Sequence, residues 1–426
     1  MIEDASNKLK NFWKKIGPGF VTGAADDDPS GIATYSQSGA LFGYNQLWLV
    51  IVAYPLMTVV QEMCGRIGIV TGHGLSGVLK NNYPKTILFG TTIVLVLANV
   101  VNIGADLGAM ASAMQLLIPV PYTLALFVFS IGVIGLEIYI PYHRYETILK
   151  YLTFSLFAYI ITAFIIGVHW TEVLTHLVFP HVNLSQTYML GVVAFLGTCI
   201  SPYLFYWQTS QEVEDEIVRG EISDFGEGTP KFTVGDMNHM RMDTALGMFF
   251  SQMVTFFIII SVAGTIGLSG SVQLETAAEA AEALRPLAGD FAFLLFALGI
   301  IGTGLLAVPV LAGSAGYAVS EALGLKTGLE KNYANAHGFY AIIALATLAG
   351  LAVNLLEIPP MLMLYYSAVL NGLLAPILLI VILLIANNKT IMGDYVNSRT
   401  SNFLGLVTII AMSGAGIFLI YSSIFG

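Results

Sequence analysis

Apolar residues run along this chain in long blocks separated by short polar stretches. Eleven blocks reach the ~20 residues that an α-helix needs to cross a bilayer: 17–42, 46–70, 86–118, 121–140, 147–168, 187–212, 243–267, 290–320, 338–355, 361–386 and 403–424. Their long unbroken apolar runs exclude a transmembrane barrel, whose strands alternate over ~10 residues. The pattern predicts an all-α polytopic membrane protein, with residues 1–426 forming one transmembrane domain. The third and eighth blocks are longer than a span requires and predict tilted helices.

Two blocks are interrupted. The first carries Asp26, Asp27 and Asp28, followed at once by Pro29, Ser30 and Gly31. Carboxylates at membrane depth are expensive and mark ion or substrate pathways. Irregular backbone is tolerated there only where it is buried in protein or lines a wet cavity. The sixth block is interrupted at Gly197-Thr198-Cys199-Ile200-Ser201-Pro202-Tyr203. Pro202 removes a backbone donor and clashes with the preceding turn. Breaks in two spans set five apart point to an inverted-repeat transporter with its site at the midplane. Residues 17–168 then form one repeat, 187–386 the other, and 403–424 an additional helix. Asp28 is also a good N-cap and Pro29 a favoured first helical residue. Freed carbonyls such as those of Ala25 and Thr198 would lie at the negative ends of half-helices, which suits a cation.

Composition sharpens the class. The chain is 56% hydrophobic and 10% charged, with a mean hydropathy of +0.78, whereas soluble proteins carry roughly 25% charged residues. With the N-terminus in the cytoplasm, all Lys and Arg except Arg285 fall on the cytoplasmic side, as the positive-inside rule requires. This predicts a multi-pass plasma-membrane protein with an external C-terminus and a basic, amphipathic segment at 1–16. No cleavable signal peptide is visible. The ionisable residues at depth are Asp26, Asp27, Asp28, Asp106 and Glu137, all acidic. A one-signed set implies a mobile partner of the opposite sign, although Asp106 or Glu137 could equally be neutral in a helix contact. Cys64 and Cys199 have no disulfide or zinc spacing and read as packing residues. No HExxH, GxSxG or Walker sequence is present, so an enzyme built on these aspartates is only a distant alternative. No cofactor, nucleic acid or obligate protein partner is expected; the implied partners are the bilayer and a divalent cation.

The run Gly17-Pro18-Gly19-Phe20, followed by Asp28-Pro29-Ser30-Gly31, resembles the first helix of the Nramp divalent-metal transporters. Gln61 and the stretch Arg66–Gly72 resemble the end of that family's second helix, and the Pro202 segment takes the place of its Met-Pro-His motif. The resemblance implies a LeuT-like fold and alternating access. It also sets the site residue by residue. The motif Asp is kept as Asp28. Gly31 stands where the family has a metal-binding Asn, Ser201 where it has Met, and Thr198 where it has the Ala whose carbonyl faces the ion. The two His positions of that half-helix hold Tyr203 and Gln208. The family's proton-pathway Asp and Glu on span three align with Asn102 and Ala105, with Asp106 one residue on. Asp28, Gly31, Thr198 and Ser201 are thus the expected metal site. Ala25, Asp26, Asp27, Gln61, Asn102, Asp106, Tyr203 and Asn371 are expected around it or along the pathway.

These departures resemble the magnesium-transporting branch of the family. A thioether suits softer metals, and replacing it with a hydroxyl hardens the site. Mg²⁺ dehydrates reluctantly and usually takes one or two carboxylates while keeping several waters. The expectation is Mg²⁺ transport, with Mn²⁺ also carried, without proton coupling; the alternative is an ordinary proton-coupled Mn²⁺/Fe²⁺ carrier. Elsewhere, residues 212–243 read as an acidic solvated loop, His239 as too isolated for a metal site, and 275–282 as a short amphipathic helix. Tyr365, Tyr366, Ser367 and Asn371 fall on the tenth span, Asn371 being the candidate for the site.

Overall fold

The computed structural model describes residues 17–140, 156–267 and 272–425. The amphipathic segment 1–16 and the first part of the fifth block lie outside these residues. The first block is split as its sequence demands, into α1 (Pro18–Asp26) and α2 (Pro29–Phe42). Then come α3 (Trp48–Thr71), α4 (Leu75–Asn82), α5 (Lys85–Leu117), α6 (Tyr122–Tyr139), α7 (Phe157–Ile165) and α8 (Trp170–Val178). The sixth block is split into α9 (Gln186–Cys199) and α10 (Pro202–Val218). The rest is α11 (Val234–Ala263), α12 (Ala277–Ala281), α13 (Ala292–Leu323), α14 (His337–Val353), α15 (Pro360–Asn387) and α16 (Arg399–Phe425). Among the described residues nine helices are long and apolar enough to cross a membrane. The first span escapes that description because any stretch of it long enough to cross contains Asp26, Asp27 and Asp28.

The interrupted helices are central. In Gln186–Val218, 94% of the apolar stretch is buried, against 33% in α6, α14 and α16, which form the rim. Small residues allow the central crossings. A Cβ on Gly23 would lie 2.3 Å from the Gly247 carbonyl oxygen of α11, and one on Gly197 would lie 2.1 Å from the Ala368 oxygen of α15. Glycine is therefore required at both crossings, where backbones touch without intervening side chains.

One expectation needs correction. Only 219–233 of residues 212–243 form a loop: α10 runs to Val218 and α11 begins at Val234. The helix continues because Glu212, Glu214 and Glu216 are buried on its inner side. Glu214 there accepts the Tyr317 hydroxyl at 2.8 Å and the Leu329 amide at 2.6 Å. The new helix starts at a capping box between Thr233 and Asp236, which satisfies two otherwise orphaned amides. Also unexpected are α4 and α8, each beside the end of a span. The external helix foreseen over 275–282 is present as α12, closed by a Thr276–Glu279 capping box.

Candidate metal site

Between α1 and α2 the chain leaves helical geometry for two residues. Asp27 has φ −84° and ψ 46°, and Asp28 is extended at φ −67°, ψ 172°. Asp28 caps α2 as its sequence predicts. One carboxylate oxygen accepts the Ser30 hydroxyl at 2.6 Å and the Gly31 amide at 2.7 Å. The other accepts the Asn102 side-chain amide of α5 at 3.0 Å. The carboxylate is thus held by donors from two elements and faces a third. Asn102 also donates to Asp106 at 3.3 Å, and its own carbonyl accepts the Asn371 amide of α15 at 3.2 Å. Asp28, Asn102, Asp106 and Asn371 are all at most 2% exposed, so the cluster is closed to both faces. One oxygen of Asp106 has no hydrogen-bond partner.

Gly31 is closely surrounded beside this carboxylate, with the Tyr35 ring 3.3 Å from where its Cβ would be. A Cβ there would sit 3.1 Å from the Asp26 carbonyl and 3.5 Å from the Thr198 hydroxyl. Thr198 of α9 therefore reaches the break in the first helix, as the sequence requires. At the second break, Ile200 (φ −123°, ψ 62°) and the extended Ser201 separate the half-helices. The Ser201 hydroxyl donates back to the Gly197 and Thr198 carbonyls at 2.7 and 2.8 Å, which leaves its oxygen lone pairs free. Tyr203 donates to the Ala25 carbonyl at 2.8 Å, tying the two breaks together.

Other expected residues go elsewhere. Asp26 and Asp27 turn to Ser251 of α11. Gln61 is buried with both amide atoms unpartnered, and no hydrogen bond joins it to the cluster. Glu137 is buried on α6, also without a hydrogen bond. On α15, Ser367 bonds its own helix at Leu364 and Tyr366 is exposed, so Asn371 alone joins the cluster. Among the described residues no three His, Cys, Asp or Glu side chains converge on one point. Carboxylates, amides, hydroxyls and water are the donors on offer.

Hydrogen bonds also tie the helices on either side of the breaks. On the side of α1, Thr22 donates to Gln208 of α10 at 2.5 Å, and Gln208 donates on to Glu212 at 2.8 Å. Asp243 of α11 accepts the Gly17 and Phe20 amides at 3.0 and 3.1 Å, capping the start of α1. On the side of α2, the Gln37 amide pairs twice with the Leu274 backbone. The sequence did not point to Ser251, Gln252 or Asp243 as part of this arrangement. The only signal was three polar residues in or beside an otherwise apolar span, with nothing to say what they face.

The chain matches the family model described as "Natural resistance-associated macrophage protein-like" over residues 19–422. It is similar to the divalent metal cation transporter MntH of Caldanaerobacter subterraneus subsp. tengcongensis, at 23% identity over 94% of this chain and 91% of that protein. The MntH of Aeromonas hydrophila is 24% identical over 96% of each. Among solved structures, the Eremococcus coleocola manganese transporter superposes with a TM-score of 0.75 at 18% identity, covering 97% of this chain and 87% of that one. Mhp1, a nucleobase-cation-symport-1 family transporter, superposes at 0.56 with 13% identity, over 96% and 92% of the two chains.

Proposed function

The chain belongs to the Nramp family and has its LeuT-like fold, and from that premise we propose that it carries divalent metal cations across the plasma membrane by alternating access. Mg²⁺ is the preferred ion and Mn²⁺ passes with it. The observation that carries this reading is the donor set around Asp28. It holds one capping carboxylate, a second carboxylate one turn along α5 at Asp106, and amide and hydroxyl groups, with no sulfur or imidazole among them. Hard oxygen donors with one or two carboxylates suit a small dication that keeps part of its water. Gly31 and Ser201 are each smaller than the side chain they replace in the family motif, so neither fills the first coordination shell with a side-chain ligand of that size. Asp28, Gly31, Thr198 and Ser201 hold the ion. Asn102 and Asn371 orient Asp28, and the halves 17–168 and 187–386 rock around it.

Transport is uncoupled from protons in this reading. Proton coupling needs titratable groups along a second path. After His337, α14 has no acidic or basic side chain. It meets α5 through glycines: a Cβ on Gly104 would lie 2.6 Å from the Gly350 oxygen. The membrane potential suffices as the driving force, because a dication entering through −100 mV gains roughly 4.6 kcal/mol, twice the ~2.3 per charge. The N-terminus is cytoplasmic and the C-terminus external. The test is ion uptake into liposomes containing the purified protein, with internal pH followed at the same time. Mg²⁺ and Mn²⁺ influx at unchanged internal pH supports the reading. Metal-dependent acidification favours the proton-coupled alternative, and absence of influx of either ion defeats the reading.

A further inference from the structure

Asp28 does not share its hydrogen-bond partners with the two carboxylates that precede it. Asp26 accepts the Ser251 hydroxyl of α11 at 2.6 Å, and Asp27 lies 3.4 Å from the same hydroxyl. Asp28 instead is held by Ser30, Gly31 and Asn102. The break therefore presents carboxylate to α5 from one residue and to α11 from the two others.

The α11 side is short of donors. Asp26 and Gln252 are 0% and 3% exposed, and Asp26 Oδ1 and Gln252 Oε1 have no hydrogen-bond partner. Gln252 follows Ser251 on α11, and its amide nitrogen is 3.3 Å from Cys199 Sγ and 3.2 Å from Met57 Sδ. Cys199 in turn lies within electrostatic reach of both Asp26 and Asp27 and contacts the Tyr35 hydroxyl at 3.3 Å. The Ser251 hydroxyl is thus spent on Asp26 and the Gln252 amide on sulfur, and the atoms left over are oxygens. Among the described residues no Lys, Arg or His makes an ion pair with Asp26 or Asp27. Buried carboxylates need a positive partner or a dense set of donors, and this pocket supplies neither.

We propose that Asp26, Asp27, Ser251 and Gln252 form a second cation subsite, on the α11 side of the break, that takes a hard divalent ion while Asp28 holds another. The proposal rests on the reading of Asp28 as the carboxylate of the transported ion. Two carboxylates match a double charge, and the hydroxyl and amide oxygens complete a hard donor set. The two sulfurs face the Gln252 nitrogen, which leaves its oxygen for the ion. Ions in adjacent subsites repel, so occupation of the second favours release of the first once the carrier opens.

The test is equilibrium binding of Mn²⁺ to the full-length protein in lipid nanodiscs, with uptake measured in parallel. The expected stoichiometry is two Mn²⁺ per chain, falling to one in Asp26→Asn/Asp27→Asn. Ser251→Ala, a small change that preserves the fold, is expected to weaken the second ion about 10-fold, in the range for a supporting ligand, and to leave the first unchanged. One Mn²⁺ per wild-type chain overturns the subsite, as does a Ser251→Ala protein with both affinities intact. The outcomes separate the two ideas: uptake with a single bound ion removes the subsite alone, whereas two bound ions without uptake of Mg²⁺ or Mn²⁺ removes the transport reading alone.

Discussion

The two helix breaks solve the same backbone problem with opposite chemistry. At the first, three consecutive acids stand where the helix stops, and their carboxylates bond outward, to Asn102 on α5 and Ser251 on α11. At the second there is no charge, and the Ser201 hydroxyl folds back onto the carbonyls of its own helix. The first break caps its own helix through Asp28 and sends carboxylates to two others, while at the second Tyr203 reaches across to the Ala25 carbonyl. Charge is thus confined to the first, and the second offers hydroxyl and carbonyl oxygens.

The sharpest way to break this contrast is to remove the charge at its centre. Asp28→Ala is expected to lower Mg²⁺ and Mn²⁺ uptake by more than about 100-fold, beyond the 10–100-fold usual for residues that only support a ligand; uptake within about 10-fold of wild type would show that Asp28 is not the anchor. Next in size is the packing of the uncharged break. Gly197→Val would drive side-chain atoms into the Ala368 and Gly372 backbone of α15. A destabilisation at or above about 3 kcal/mol is expected, the upper part of the overpacking range, read as loss of folded protein in thermal melts. Asn102→Ala removes one donor from Asp28 and is expected to weaken Mn²⁺ binding about 10-fold while the protein stays folded. The smallest effect on total flux belongs to Ser201→Met, which leaves the charge in place. Its expected signature is a shift of preference towards Cd²⁺, measured by competition; unchanged selectivity would remove Ser201 from the ligand set.

Much of this was legible in the chain, and the reasons are specific. Proline alone does not mark a break, because Pro55, Pro309 and Pro376 sit inside continuous helices; the breaks could be placed because Pro29 follows three aspartates and Pro202 follows the small polar Gly197, Thr198 and Ser201. Asp28 was recognisable as a cap because Asp before Pro at a helix start has a local cause. The family and the LeuT-like architecture followed from motifs in the first two spans, and the relatives are named transporters, in keeping with a transporter and not an enzyme. The less visible parts depend on rotation of helices about their own axes. Asn102 and Asp106 are one turn apart and therefore share a face, but only packing shows that this face meets Asp28. Ser251 and Gln252 stand in an apolar span that gives no hint of facing Asp26. Residues 212–243 misled because acidic content resembles a loop, whereas Glu214 has a hydroxyl and an amide waiting for it inside the protein.

Asp243 has a mechanical consequence. It grips α1 by two backbone amides of the first turn and by no side chain of that helix. The first half of that span is therefore fastened at three points, by Asp243 at its start, by Thr22 on Gln208 of α10 and by the Gly23–Gly247 crossing on α11. Releasing Asp243 alone would leave two of the three in place, so this half-helix is a rod pinned along its length and not a lever hung from one end.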